Sequence, residues 1–147
     1  MSETNANLRL ASKQCLTLEV VKAIAAAAEA EALHNNWKVS IAIVDDGANL
    51  LYLERLDGAQ ISSVDIALGK ARTAMRYKRP SKALEDAVAG GRTALVAVHE
   101  ITPLQGAVPI VFEGAIIGAI GVSGVLSTQD EQIATAGANR LAQLLGT

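Results

Sequence analysis

The side chains able to carry ligand or acid–base chemistry are few in this chain, and they are scattered. His34 and His99 are its only imidazoles, and neither has a second histidine at the spacing of a structural zinc site. From Lys70 to Lys82 the run KARTAMRYKRPSK gathers Lys70, Arg72, Arg76, Lys78, Arg79 and Lys82. On a helix Arg72 and Arg76 are i,i+4 neighbours that share a face. Such a cluster is either a solvated helix end whose cations complement the dipole, or an anion site for carboxylates. Arg55, Arg76 and Arg79 are the candidate carboxylate ligands. Asp45, Asp57, Glu131 and His99 are the candidate acids and bases for an enzyme acting without a cofactor on a small organic or aromatic acid. Asp45 and its neighbour Asp46 also suit a turn entry, where one would cap backbone N–H groups.

Several familiar chemistries are excluded. Gly118 to Gly124, GAIGVSG, lacks the G-x-G-x-x-G order and falls inside an expected strand, so it is not a dinucleotide loop. Gly69-Lys70 is followed by Ala71 and is no P-loop. Ser123 follows Gly121-Val122, but Val125 stands where a nucleophile elbow has its second glycine, and no histidine follows it. The glycines Gly118, Gly121 and Gly124 fall three apart, which strand packing does not require. They mark either a close approach of another backbone or a pocket floor free of side chains.

These residues have to be positioned by elements whose boundaries are legible. Thr17 caps a helix with Leu18, Val21, Ala25 and Ala28 on one stripe, ending near His34 before Asn35-Asn36. Val39 to Asp46 and Leu50 to Leu56 form a hairpin through an Asp, Gly and Asn turn. Ser62 or Ser63 opens a helix that ends near Tyr77, ahead of Arg79-Pro80. Ser81 opens a short helix with Leu84 and Val88 inward, closed by Gly90-Gly91. Thr93 to Val98 is an apolar run that fits either strand or helix. Val108 to Phe112 and Ala115 to Val122 form a second hairpin through Glu113-Gly114. A last helix starts at Ser127 or Thr128, with Asp130 and Glu131 as capping partners and Ile133, Gly137, Leu141, Leu144 and Leu145 inward. Hairpins rather than crossovers join the strands, so the sheet is expected to be antiparallel with helices on its faces, an α+β fold.

At 147 residues the chain fits one domain, expected over 16–147 behind a flexible N-terminal segment, 1–15. Its single cysteine, Cys15, has no partner and suits a reducing compartment. The first residues lack the pattern of an export signal, and no apolar run approaches the ~18 residues of a membrane span, so a cytoplasmic protein is expected. A net charge of −2 and four dispersed aromatics argue against nucleic acid as a partner. The alanine-rich stretch Ala23 to Ala32 buries little area per residue although half the chain is apolar, which predicts a homo-oligomer, most simply about a two-fold axis.

SIAIVDDGANLLYLERLDGA (40–59), IALGKARTAMRYKRPSKALED (66–86), GGRTAL (90–95) and QGAVPIVFEGAIIGAIGVSG…QDEQIATAG (105–137) resemble the GlcG/HbpS-like haem-binding family, which includes the C-terminal domain of PduO-type proteins. The resemblance runs from Leu16 onward. It implies a profilin-like α+β fold with a central five-stranded antiparallel sheet, assembling as dimers or larger rings. It also implies haem as a cofactor, with an axial nitrogen from His99 or His34 and propionates held by Arg55, Arg76 or Arg79. His99 is preferred because it opens a loop between two strands, whereas His34 ends a helix. Other members accompany catabolic operons, which keeps open the small-acid enzyme and an accessory or scaffold role. The family usually has Gly-Gly ahead of Val-Pro-Ile, where this chain has Gly106-Ala107. Ala107 disfavours positive φ, so a shift of that loop is expected.

Overall fold

A computed structural model describes residues 2–146. Its elements, in chain order, are α1 (Leu18–His34), β1 (Ser40–Asp45), β2 (Leu50–Arg55), α2 (Ser63–Tyr77), α3 (Ser81–Ala89), a 3₁₀ turn (Thr93–Ala97), β3 (Ala107–Phe112), β4 (Ala115–Ser123) and α4 (Ser127–Leu145). The strands form one antiparallel sheet in the order β2-β1-β4-β3. The sheet therefore has four strands, not the five the resemblance implied. The ambiguous run from Thr93 coils instead of pairing: Leu95 N–H donates to Arg92 O at 3.2 Å and Val98 N–H to Leu95 O at 3.1 Å.

Strand alternation sends opposite faces of the sheet to two different layers. Ile41, Ile43, Ile120 and Val122 face α1 and α4, and with Ile24, Ile133 and Leu141 they make the larger core. Each of these buried side chains contributes roughly 1.5–3 kcal/mol. Ala42, Val44, Ala107 and Ala119 face α2, meeting Ala67, Ala71 and Ala74 in a layer of small residues. The last turn of α4 departs from the expected stripe, because Leu144 and Leu145 are exposed, as is Leu18 at the start of α1. The start of α4 differs too. Leu126 N–H is capped by Gln129 Oε1 at 3.2 Å, while Asp130 turns inward.

The glycine spacing in β4 reflects close approach of neighbouring chain. A Cβ on Gly121 would lie 2.3 Å from Ala67 O, one on Gly118 2.5 Å from Val44 O, and one on Gly124 2.4 Å from Lys38 O. Ala107 sits in extended backbone as the first residue of β3, and Gly106 carries the positive φ, +140°. The methyl group of Ala107 is accommodated in the small-residue layer, where it is fully buried.

On the outer strand β2, Glu54 has a buried Oε1 with no hydrogen-bond partner among the described residues. Burial, then the like charge of Glu29 on α1, pushes its carboxyl up to about 7. A carboxyl raised above its unfolded value contributes stability that is complete below pH ~4.5 and lost as pH rises through ~7. Glu54→Gln is expected to flatten that slope. Between pH 5 and 8 the parent should lose about 1 kcal/mol more than the variant in urea melts, after allowance for solvent screening. Equal slopes would show that Glu54 does not titrate in this range.

Candidate functional site

The candidate site grows from the end of α2 and the long connection that follows α3. Thr73 and Gly69, one turn apart on α2, receive that connection. Thr102 N–H donates to Thr73 Oγ1 at 2.9 Å, and Thr102 packs where Gly69 has no side chain. One turn further along, Arg76 Nη2 pairs with Glu100 Oε2 at 3.3 Å, and Glu100 holds φ at +58°. Gln105 N–H reaches Glu85 Oε2 at 3.1 Å, and Ala107 N–H reaches Ser81 Oγ at 3.0 Å. The loop is thus tied to α2 and α3 at both ends, and it presents His99 outward. The His99 side chain is 94% exposed, with Nε2 3.8 Å from Glu100 Oε1. Val96 and Val98 just before it, and Leu104 further along the loop, are exposed.

Of the residues singled out from the sequence, His99 and Arg76 therefore meet, through Glu100. Arg79 lies at the same end of α2, where its Nε donates to Tyr77 O at 2.8 Å, and it lines a 250 Å³ cleft with Tyr77 and Arg92. Arg55 is elsewhere. It pairs with Ser40, whose Oγ lies 2.7 Å from Ser63 Oγ at the start of α2. The thirteen helical steps from Ser63 to Arg76 span about 20 Å, so Arg55 and Arg76 cannot hold the same carboxylate. His34 ends α1, on the opposite face of the sheet from α2, and is exposed there.

The acid–base candidates do not converge on one element. Asp45 Oδ1 accepts from Gly47 N–H and Asn49 N–H, both at 2.9 Å, as the cap of the β1–β2 turn. Asp57 is exposed in the turn after β2, and Glu131 is in the first turns of α4 with Oε2 buried and without a hydrogen-bond partner among the described residues. Two polar residues, Glu100 and Arg92, were not singled out from the sequence, and two others, Lys70 and Asp130, take roles other than the solvated cation and helix cap expected of them. Glu100 and Arg92 take their places from loop geometry that no periodicity announces. Lys70 and Asp130 form a buried ion pair at 3.0 Å, each side chain 3% exposed. A 390 Å³ cavity is also lined by the N-terminal segment, by Lys13 and its ion-pair partner Asp46, and by Phe112 and Ile117. Among the described residues no helix is long and apolar enough to cross a membrane, and no cluster of three or more His, Cys, Asp or Glu is arranged to hold a metal.

An antiparallel sheet with two helices on one face and a helix bearing a cationic end on the other defines an α+β protein whose one surface-presented imidazole on the α2 side stands beside an arginine. Residues 16–139 match the family model described as "Haem degrading protein HbpS-like", and the chain belongs to this HbpS-like family. It is 46% identical over 112 residues to Protein GlcG of Escherichia coli, covering 76% of this chain and 84% of that one. The crystal structure of the ORFY protein of Klebsiella pneumoniae superposes with a TM-score of 0.84 at 32% identity, over 96% of this chain and 98% of that one. A Streptomyces reticuli HbpS structure, a double mutant, superposes with a TM-score of 0.83 at 33% identity, over the whole of both chains.

Proposed function

We propose that this chain is a cytoplasmic haem-handling protein that works as a homo-oligomer, with His99 as the axial ligand and Arg76 as a propionate partner. The observation that carries this reading is the placement of His99, an exposed imidazole on a tethered loop, with exposed Val96 and Val98 just before it and Leu104 further along. The family description, a haem-degrading protein, supports the choice of ligand. A porphyrin needs an apolar wall for its ring, a nitrogen for its iron and a cation for its propionates, and Val96 with Val98, His99 and Arg76 would take these roles. Bound haem would supply the redox chemistry of its iron, while the protein holds and orients it.

The three cavities described for the chain are not lined by His99. A haem on this surface would therefore need a second wall, and a second copy of the chain supplies one most simply. That requirement ties the haem reading to self-association. Haemin titration should give a saturable Soret band that shifts or is lost in His99→Ala and is unchanged in His34→Ala, with sedimentation showing an assembly larger than one chain. A spectrum indifferent to His99→Ala would remove His99 as the ligand.

A further inference from the structure

We infer that the cleft between α2, α3 and the 3₁₀ turn is a second binding site, one that receives a carboxylate on Arg79 and Arg92 with its apolar body against Leu84 and Leu95. The two arginines arrive by the same local route. At the end of α2, Lys78 takes φ +53°, and N–H groups of Lys78 and Arg79 return to Met75 O and Ala74 O at 3.3 and 3.2 Å. At the end of α3, Gly91 takes φ +111°, and N–H groups of Gly91 and Arg92 return to Val88 O and Ala87 O at 3.0 and 2.9 Å. Both are Schellman closures, and in each the residue just past the left-handed position is an arginine. The second closure folds the chain back over α3, so that Arg92 faces the cleft that Arg79 and Tyr77 border.

Neither guanidinium is ion-paired among the described residues, although Arg76, Lys82, Lys13 and Lys70 all have carboxylate partners. Two unpaired guanidinium forks across one cleft suit a planar carboxylate, which each can engage through paired N–H groups. Each arginine also stands at the negative end of a helix, worth about half an elementary charge. Each helix end offsets part of its arginine's charge, which favours a monoanionic carboxylate over a phosphate. The volume of 250 Å³ lies below the usual range of ~300–1,000 Å³ for drug-sized ligands, so the group that enters is small. Two sources share this chemistry, a free small organic acid and a propionate of haem.

The test separates them, and separates both from the His99 reading. Benzoate and 2-hydroxyisobutyrate are titrated by NMR against the parent, His99→Ala and the double variant Arg79→Gln/Arg92→Gln. Haemin and its dimethyl ester are titrated against the same three proteins. Binding of either acid that weakens at least tenfold in the double variant and is unchanged in His99→Ala assigns the cleft to a free acid. A preference for haemin over the ester that disappears in the double variant assigns it to a propionate. If the double variant matches the parent toward all four probes, or the parent binds neither acid and does not distinguish haemin from its ester, the proposal fails. Both side chains are exposed and unpaired, so unchanged circular dichroism and Tm should confirm that the double variant folds. Arg79→Lys, which keeps the charge but not the fork, should fall between parent and double variant.

Discussion

Lys70→Met is expected to destabilise the protein by roughly 3–5 kcal/mol, enough to consume much of the stability of a domain this size. Lys70 Nζ lies 3.0 Å from both Asp130 Oδ2 and Val122 O, and Asp130 Oδ1 accepts from Val125 N–H at 3.1 Å. The pair joins α2, on one face of the sheet, to α4 on the other, around the end of β4. Gly106 passes so close that a Cβ there would be 2.6 Å from the ammonium nitrogen. Removing Lys70 strands a carboxylate that is almost fully buried. Burial already holds Asp130 above its ordinary carboxyl range, and the attraction of Lys70 works against that rise. Without Lys70 the carboxyl climbs further. A folded pKa above the unfolded one gives stability that is lost as pH rises, so the variant should be markedly more stable at pH 5 than at pH 8. Asp130→Leu in the same background should restore part of the loss, because an apolar pair leaves no uncompensated charge. Urea melts at the two pH values read both effects. A cost below ~1 kcal/mol with no pH dependence would show that the pair does not fasten the two layers.

This ion pair marks where the sequence was readable and where it was not. Helix ends were legible because short-range chemistry sets them: Thr17 Oγ1 caps α1, and Asn35, Pro80 and Gly90 stop or separate helices where their backbone preferences require. The hairpins followed from apolar runs broken by turn residues. Lys70 belongs to the basic run from Lys70 to Lys82, where composition suggests solvent. Yet it lies three residues from Ala67 and four from Ala74, and that buried period already places it inward. The periodicity was the better guide, and the charge obscured it. The Thr93–Ala97 run was undecidable because its fate depends on Gly91 turning the chain back over α3, a tertiary event. The same event hid Arg92. His99 was singled out by its loop position and Arg76 by its place in the basic helical run, but what joins them is Glu100 in a left-handed conformation that its own identity does not signal.

Gly121→Val should be the most damaging substitution on the sheet, leaving little folded protein, with Gly121→Ala costing on the order of 3 kcal/mol. Gly121 stands near the C-terminal end of β4, between Ala42 of β1 and Ala107 of β3, on the face that meets α2. A single added methyl would approach Ala67 O at 2.3 Å and Ala71 N at 2.6 Å. These are backbone atoms of a helix, which no rotamer change can move aside, so α2 as a whole must lift. Its movement would open the alanine layer of Ala67, Ala71, Ala74 and Ala119, where every van der Waals contact depends on the short separation. The Thr73–Thr102 bond and the Arg76–Glu100 pair hang on the same helix, so the loop that carries His99 would lose its seat. In any Gly121→Ala protein that remains folded, haemin binding should weaken along with the drop in Tm. Gly114→Ala supplies the comparison. Its φ of +78° strains any side chain, but nothing lies within 4 Å of the added methyl. Its cost should therefore stay near the ~1 kcal/mol of a misplaced turn residue, with haemin binding intact. Equal losses for the two variants would mean that backbone strain, and not the approach of α2, is what Gly121 serves.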